Sequence, residues 1–155
     1  MKIAVITISD RAYLGEYQDL SGPRIEQLIS LAYPEAIIGR EIVPDEADHI
    51  LKAFQDYQGY DFIITTGGTG ISPRDITPEV SRTFCDKELP GISEAIRSES
   101  IRETKNAMLS RAYAGMKENT ILINLPGSVK AVETGLRVIL PVLEHAERML
   151  RGEGH

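Results

Sequence analysis

Phe62-Ile63-Ile64-Thr65-Thr66-Gly67-Gly68-Thr69-Gly70 is an apolar, β-branched run that breaks abruptly into glycine. A run so nearly free of polar alternation predicts a strand buried on both faces, as in a parallel sheet. The glycines that follow permit positive φ and close backbone approach, so successive amides over Gly67–Gly70 can point at an anion. No Gly-Lys-Ser/Thr follows, which excludes a P-loop, and Pro73 occupies the third glycine position of a dinucleotide fingerprint. The glycines alone fit a tight strand-to-helix turn. The next residues, Ser72-Pro73-Arg74-Asp75-Ile76-Thr77-Pro78-Glu79, favour a ligand site. Arg74 offers a cation for phosphate and Asp75 a carboxylate for a divalent metal.

Outward from this stretch, three further β-branched runs read as strands: Ile3–Ile8, Ala36–Val43 and Thr120–Leu125. Ser21-Gly22-Pro23-Arg24 has the form of a helix start, Ile25, Leu28, Ile29 and Ala32 follow at helical spacing, and Pro34 stops the helix. A second helix is expected from Pro44-Asp45-Glu46, with Ala47, Ile50, Leu51, Phe54 and Tyr57 on one face. Thr77-Pro78-Glu79 opens a third, with Thr77 expected as the cap. Gly91–Asn106 is mixed in charge at helical spacing, and Ala107–Met116 is expected to add a short strand turning at Lys117-Glu118-Asn119. The last helix starts after Pro126-Gly127-Ser128, with a kink or break expected at Pro141 and frayed residues from Arg151 to His155.

This alternation predicts a single-domain, three-layer α/β fold: an open, mainly parallel sheet with helices on both faces and right-handed crossovers. Such sheets bind ligands at the carboxyl ends of their strands. The loops Ser9–Leu20, Gly67–Ile76 and Pro126–Ser128 should therefore meet at the site.

Seventeen Lys and Arg against 23 Asp and Glu give a formal charge of −6, which argues against nucleic acid or an anionic membrane as partner. Small anions stay possible, since backbone amides or a metal ion can hold phosphate without net positive charge. The lone Cys85 excludes an internal disulfide and suits a reducing, cytoplasmic compartment. No signal peptide or eighteen-residue apolar span is read, so a soluble, unprocessed protein is expected. His49, His145 and His155 are scattered, which suggests neither a zinc site nor a histidine triad.

Several candidates carry two readings. Read locally, Asp45 is a helix cap, with Asp48 three residues on. Asp10 and Asp19 fit turns, although Ser9-Asp10-Arg11 ends the first strand at the carboxyl edge. Pro126-Gly127-Ser128 is either a simple loop and cap or a second anion site at a helix N-terminus, with Lys130 in its first turn.

Taken together, Ser9-Asp10-Arg11-Ala12, Tyr17-Gln18-Asp19, Val43-Pro44-Asp45-Glu46, Thr66-Gly67-Gly68-Thr69-Gly70, Arg74-Asp75-Ile76-Thr77-Pro78-Glu79, Leu109-Ser110-Arg111-Ala112 and Asn124-Leu125-Pro126-Gly127-Ser128 resemble the MogA/MoaB family of molybdenum cofactor biosynthesis. The resemblance spans nearly the whole chain and leans to the MogA branch, with more distant kinship to CinA-type domains. It implies molybdopterin adenylyl transfer: AMP passes from ATP to the terminal phosphate of molybdopterin, with Mg²⁺, and pyrophosphate leaves. It also implies that Asp45 and Asp75 are the catalytic acids and hold the metal, reversing the local reading of Asp45. Ser9, Asp10, Gly67, Gly68, Thr69, Gly70 and Arg74 would face nucleotide or pterin phosphate, and Ser110, Pro126, Gly127 and Ser128 the pterin side. A homotrimer is implied, as is hand-over to a downstream metal-inserting protein. The alternative implied by the MoaB branch is a non-catalytic molybdopterin carrier.

Overall fold

The computed structural model describes residues 1–153. The expectations for Gly154 and His155 lie outside the described residues. Six strands form one sheet in the order β2-β1-β3-β6-β5-β4: β1 (Lys2–Ile8), β2 (Ile37–Val43), β3 (Phe62–Thr66), β4 (Lys87–Glu88), β5 (Ala114–Lys117) and β6 (Thr120–Leu125). The β1–β2, β1–β3 and β3–β6 pairings are parallel, while β5 and β4 add antiparallel at one edge.

The helices are α1 (Asp10–Tyr13), α2 (Ser21–Ala32), α3 (Ala47–Asp56), α4 (Thr77–Phe84), α5 (Pro90–Glu103) and α6 (Val129–Leu150), with a 3₁₀ turn at Lys105–Leu109. Strand side chains alternate, so both faces must be covered if every residue is apolar. Ile3, Val5, Phe62, Ile64, Ile121, Ile123 and Leu125 point to a core shared with α2, α5 and α6. Ala4, Ile6, Ile8, Ile63 and Leu122 point the other way, against α3 and α4. Each fully buried large side chain contributes about 1.5–3 kcal/mol, which is why the expected three-layer fold forms around these runs.

Chain order reverses at β1, since β2 lies on one side of it and β3 on the other. The loops after β1, β2, β3 and β6 all leave the same edge of the sheet, where a doubly wound fold opens a crevice. Asn124, buried in β6, ties the neighbouring elements together. Its amide donates to Thr65 Oγ1 and Ser81 Oγ (both 3.0 Å), and its carbonyl accepts from Tyr113 N (3.1 Å).

Some local expectations are corrected. Thr77 does not cap α4 by its side chain. Its hydroxyl donates to the Gly67 carbonyl (3.0 Å), because the helix start is pulled against the glycine loop. Ser21 is already inside α2 and shares a hydrogen bond with Thr66 Oγ1, so Asp19 Oδ1 takes the free Gly22 N–H instead (3.0 Å). Residues 107–113 form no strand: the 3₁₀ turn occupies 105–109 and β5 starts only at Ala114. The α6 helix passes Pro141 without a break. Pro141 is exposed, so the carbonyl its ring leaves unbonded can meet water. The four-residue α1 and two-residue β4 are too short to leave a periodic signal. Among the described residues no helix is long and apolar enough to cross a membrane.

Helix α6 approaches β6 through Gly135, where a Cβ would stand 2.5 Å from Leu125 Cδ2 and 3.7 Å from Ile96 Cγ2. Overpacking of this kind costs about 1–3 kcal/mol. Gly135→Val is expected to lower the unfolding free energy by that amount, read in equilibrium urea unfolding as a lower midpoint at an unchanged m-value.

Candidate active site

The site is built where the ends of β1, β3 and β6 come together. Gly67 leaves β3 with φ of +102° and Gly68 follows at +67°, a left-handed path that L side chains rarely adopt. A Cβ on Gly67 would collide with the Ile8 carbonyl, and one on Gly68 with Thr77 Oγ1 while standing 3.0 Å from Asp45 Oδ1. The loop therefore passes directly over the end of β1 and beside the Asp45 carboxylate.

Asp45 does not cap α3: Glu46 occupies that position and no side chain caps the helix. The reason is a closer partner. Asp45 Oδ2 accepts from Asp10 N, and Asp10 Oδ1 accepts from Asp45 N, both at 2.9 Å. This reciprocal pair clips the loop after β1 to the loop after β2. Arg74 completes it with a two-pronged contact to Asp10, Nε to Oδ2 and Nη2 to Oδ1, each 2.9 Å. Glu46 Oε1 lies 4.0 Å from Arg74 Nη2. Ser9 caps α1, its hydroxyl accepting from Ala12 N.

The two aspartates are pushed in opposite directions. The hydrogen bond from Arg74 is the chief reason that Asp10 sits below the usual carboxylate range. Burial is the chief reason that Asp45 sits above it; the charges of Asp10 and Asp75 add to the rise, while the Asp10 N–H and Arg74 oppose it. Perturbed carboxylates in a crevice mark functional candidates.

Asp75 turns back on its own loop, Oδ2 accepting from Ser72 N (2.9 Å) beside Gly70. Arg111, a residue to which the sequence reading gave no role, grips the same loop. Its Nε donates to the Gly70 carbonyl (2.8 Å), its Nη2 to the Asp75 carbonyl (2.6 Å), and its Nη1 pairs with Glu79 (2.5 and 2.8 Å). The signal lies in Leu109-Ser110-Arg111-Ala112, a motif from which the resemblance draws only Ser110.

The far end of the glycine loop borders a cavity of about 490 Å³. Thr69, Gly70, Ser110, Pro126, Gly127 and Ser128 line it, together with Lys130, Glu103 and Thr134 from α5 and α6. Its volume falls in the range of small-molecule sites, about 300–1,000 Å³. Ser9, Asp10, Gly67, Gly68, Arg74, Asp45 and Asp75 are not in its lining. The loop thus adjoins both features: Thr69 and Gly70 line the recess, while Gly68 stands beside Asp45 and Gly70 beside Asp75. Ser128 is also the α6 cap, accepting from Ala131 N (3.1 Å).

Residues 4–145 match the family described as "Probable molybdopterin binding domain". The chain belongs to this molybdenum cofactor biosynthesis family. Within it, the chain is 39% identical over 155 residues to a molybdopterin adenylyltransferase of Helicobacter pylori J99, covering 97% of this chain and 88% of that protein. It is 42% identical over 149 residues to the molybdenum cofactor synthesis protein cinnamon of Drosophila melanogaster, covering 94% of this chain but only 25% of that longer protein. The crystal structure of the molybdopterin biosynthesis enzyme MoaB of Thermus thermophilus superposes with a TM-score of 0.88 at 39% identity, over 97% of this chain and 96% of that one. Kinship to MogA and MoaB, inferred from the motifs, is thereby established.

A carboxyl whose pKa is raised on folding favours the folded state only while protonated. That contribution is complete below the unfolded value, about 3.9 for aspartate, and is lost as pH rises through the folded value. Asp45→Asn keeps an acceptor for the Asp10 N–H without the half-buried carboxylate. Its melting temperature is expected to exceed that of the wild type at pH 7, with the gap closing as the pH falls toward about 4. Calorimetry across this range checks the sign, and a less stable variant at pH 7 would refute it.

Proposed function

We infer that this chain is a molybdopterin adenylyltransferase. An oxygen of the terminal phosphate of molybdopterin attacks the α-phosphorus of ATP, the α–β bridging bond breaks, and pyrophosphate leaves with its electron pair. The observation that carries this reading is a recess within the small-molecule range and the Asp45 and Asp75 carboxylates meeting on one glycine loop. No side-chain nucleophile is needed, so catalysis reduces to positioning and charge stabilisation.

The recess takes the pterin, with Ser110 and Pro126–Ser128 along its wall and Thr69 and Gly70 nearest the transfer point. Arg74 and the loop amides face the phosphates. Asp45 and Asp75 each give one carboxylate oxygen to a backbone N–H, and the other takes no hydrogen bond among the described residues. Two hard oxygen donors fit Mg²⁺, which is commonly held by one or two carboxylates plus substrate phosphates. When bound, the ion neutralises charge on the triphosphate. Among the described residues no three or more His, Cys, Asp or Glu form a metal cluster, so substrate oxygens and water would have to complete the shell. A homotrimeric, cytoplasmic enzyme that passes its product to a metal-inserting protein completes the proposal.

Incubation with molybdopterin, ATP and Mg²⁺ should yield adenylylated pterin and pyrophosphate. Pterin binding without either product would favour the carrier role. Asp75→Asn retains an acceptor for Ser72 N–H and is expected to fold normally while slowing transfer on the order of 10²-fold or more, as loss of a preorganised charge contact does. Transfer at the wild-type rate in this variant would sink the assignment.

A further inference from the structure

We propose that Arg111 is a positioning residue for adenylyl transfer, holding the loop that carries Asp75 in register with the pterin recess. The proposal rests on the adenylyltransferase reading above. Residues 110–112 form a bridge between two parts of the site. On one side, Ser110 and Ala112 line the recess. On the other, Arg111 N donates to the Thr69 carbonyl (2.8 Å), while its guanidinium reaches Gly70, Asp75 and Glu79. Thr69 and Gly70 line the recess, and Asp75 Oδ2 stands against Gly70, where an added Cβ would be 2.9 Å away.

The bridge is itself fixed from α5. Arg97 donates through Nε to the Ser110 carbonyl (3.0 Å) and through Nη2 to the Ala112 carbonyl (2.9 Å). Arg111 therefore reaches across from an anchored segment, and its fork is what ties the Asp75 loop to that anchor. A single lysine ammonium, a point donor on a flexible stem, cannot reproduce three separate contacts from one planar group. The Arg111 side chain is 39% exposed, so its removal leaves no sealed cavity in the core. The loop keeps the Thr77–Gly67 and Arg74–Asp10 contacts when Arg111 is lost. The expected consequence is a misplaced Asp75 rather than an unfolded protein.

The test compares wild type, Arg111→Ala, Arg111→Lys, Asp75→Asn and the Arg111→Ala/Asp75→Asn double variant. Both single Arg111 variants should lose at least about tenfold in kcat while KM for molybdopterin changes less than about twofold, the pattern of a contact felt in the transition state. In the Asp75→Asn background, Arg111→Ala should add less than about a twofold loss, since residues acting as a unit are not additive. Hydrogen exchange of residues 69–76 should quicken in the Arg111 variants, with the melting temperature held within a few degrees. Wild-type kcat in Arg111→Lys, a full multiplicative loss in the double variant, or unchanged exchange would each overturn the proposal. If the wild type makes no adenylylated pterin, the functional reading falls, and exchange alone then decides whether Arg111 fixes the loop.

Discussion

Gly67 sits where three strand ends meet, and the rest of the site depends on its having no side chain. Its amide donates to the Leu125 carbonyl (3.1 Å), its carbonyl accepts from Thr77 Oγ1, and its α-carbon lies where a Cβ would strike the Ile8 carbonyl. Gly127 is packed against it from the loop after β6, where an added Cβ would be 3.4 Å from the Gly67 α-carbon. A left-handed backbone packed this closely joins β1, β3, β6 and α4 at one point. With a larger residue, the glycine loop would have to move off the end of β1.

Around that point the site is assembled by ties between loops distant in sequence. Asp10 and Asp45 exchange backbone N–H to carboxylate hydrogen bonds across 35 residues, Arg74 reaches Asp10 across 64, and Arg111 reaches Gly70 across 41. Each contact is charge-assisted, and such bonds are roughly twice as strong as neutral ones. The arrangement carries a cost, since burial raises the Asp45 pKa and so resists charge on its carboxyl.

The acidic balance of the chain fits this picture. With a formal charge of −6, the chain offers a small anion backbone amides and a few arginines rather than a broad basic face. Several arginines near the site are already committed to the protein's own groups: Arg74 to Asp10, Arg97 to the carbonyls of Ser110 and Ala112, and Arg111 to the glycine loop. They shape the site before any ligand arrives.

The layers are legible in the residue pattern alone. Unalternating runs such as Phe62–Thr66 leave no face for water, and helical spacing in the segments between them supplies the covering faces, so a parallel three-layer sheet follows from burial alone. It also marked the glycine loop and the loops that meet there, because the carboxyl ends of parallel strands share an edge. What it did not settle was the partner of each polar side chain. Asp45 reads as a cap because local spacing sees only its own helix, whereas its actual partner, Asp10, arrives through the β1–β2 pairing. Thr77 reads as a cap for the same reason, and Arg111 as a bystander. Hydrogen bonds are short-ranged and directional, so among residues far apart in the chain only tertiary structure decides which donor meets which acceptor.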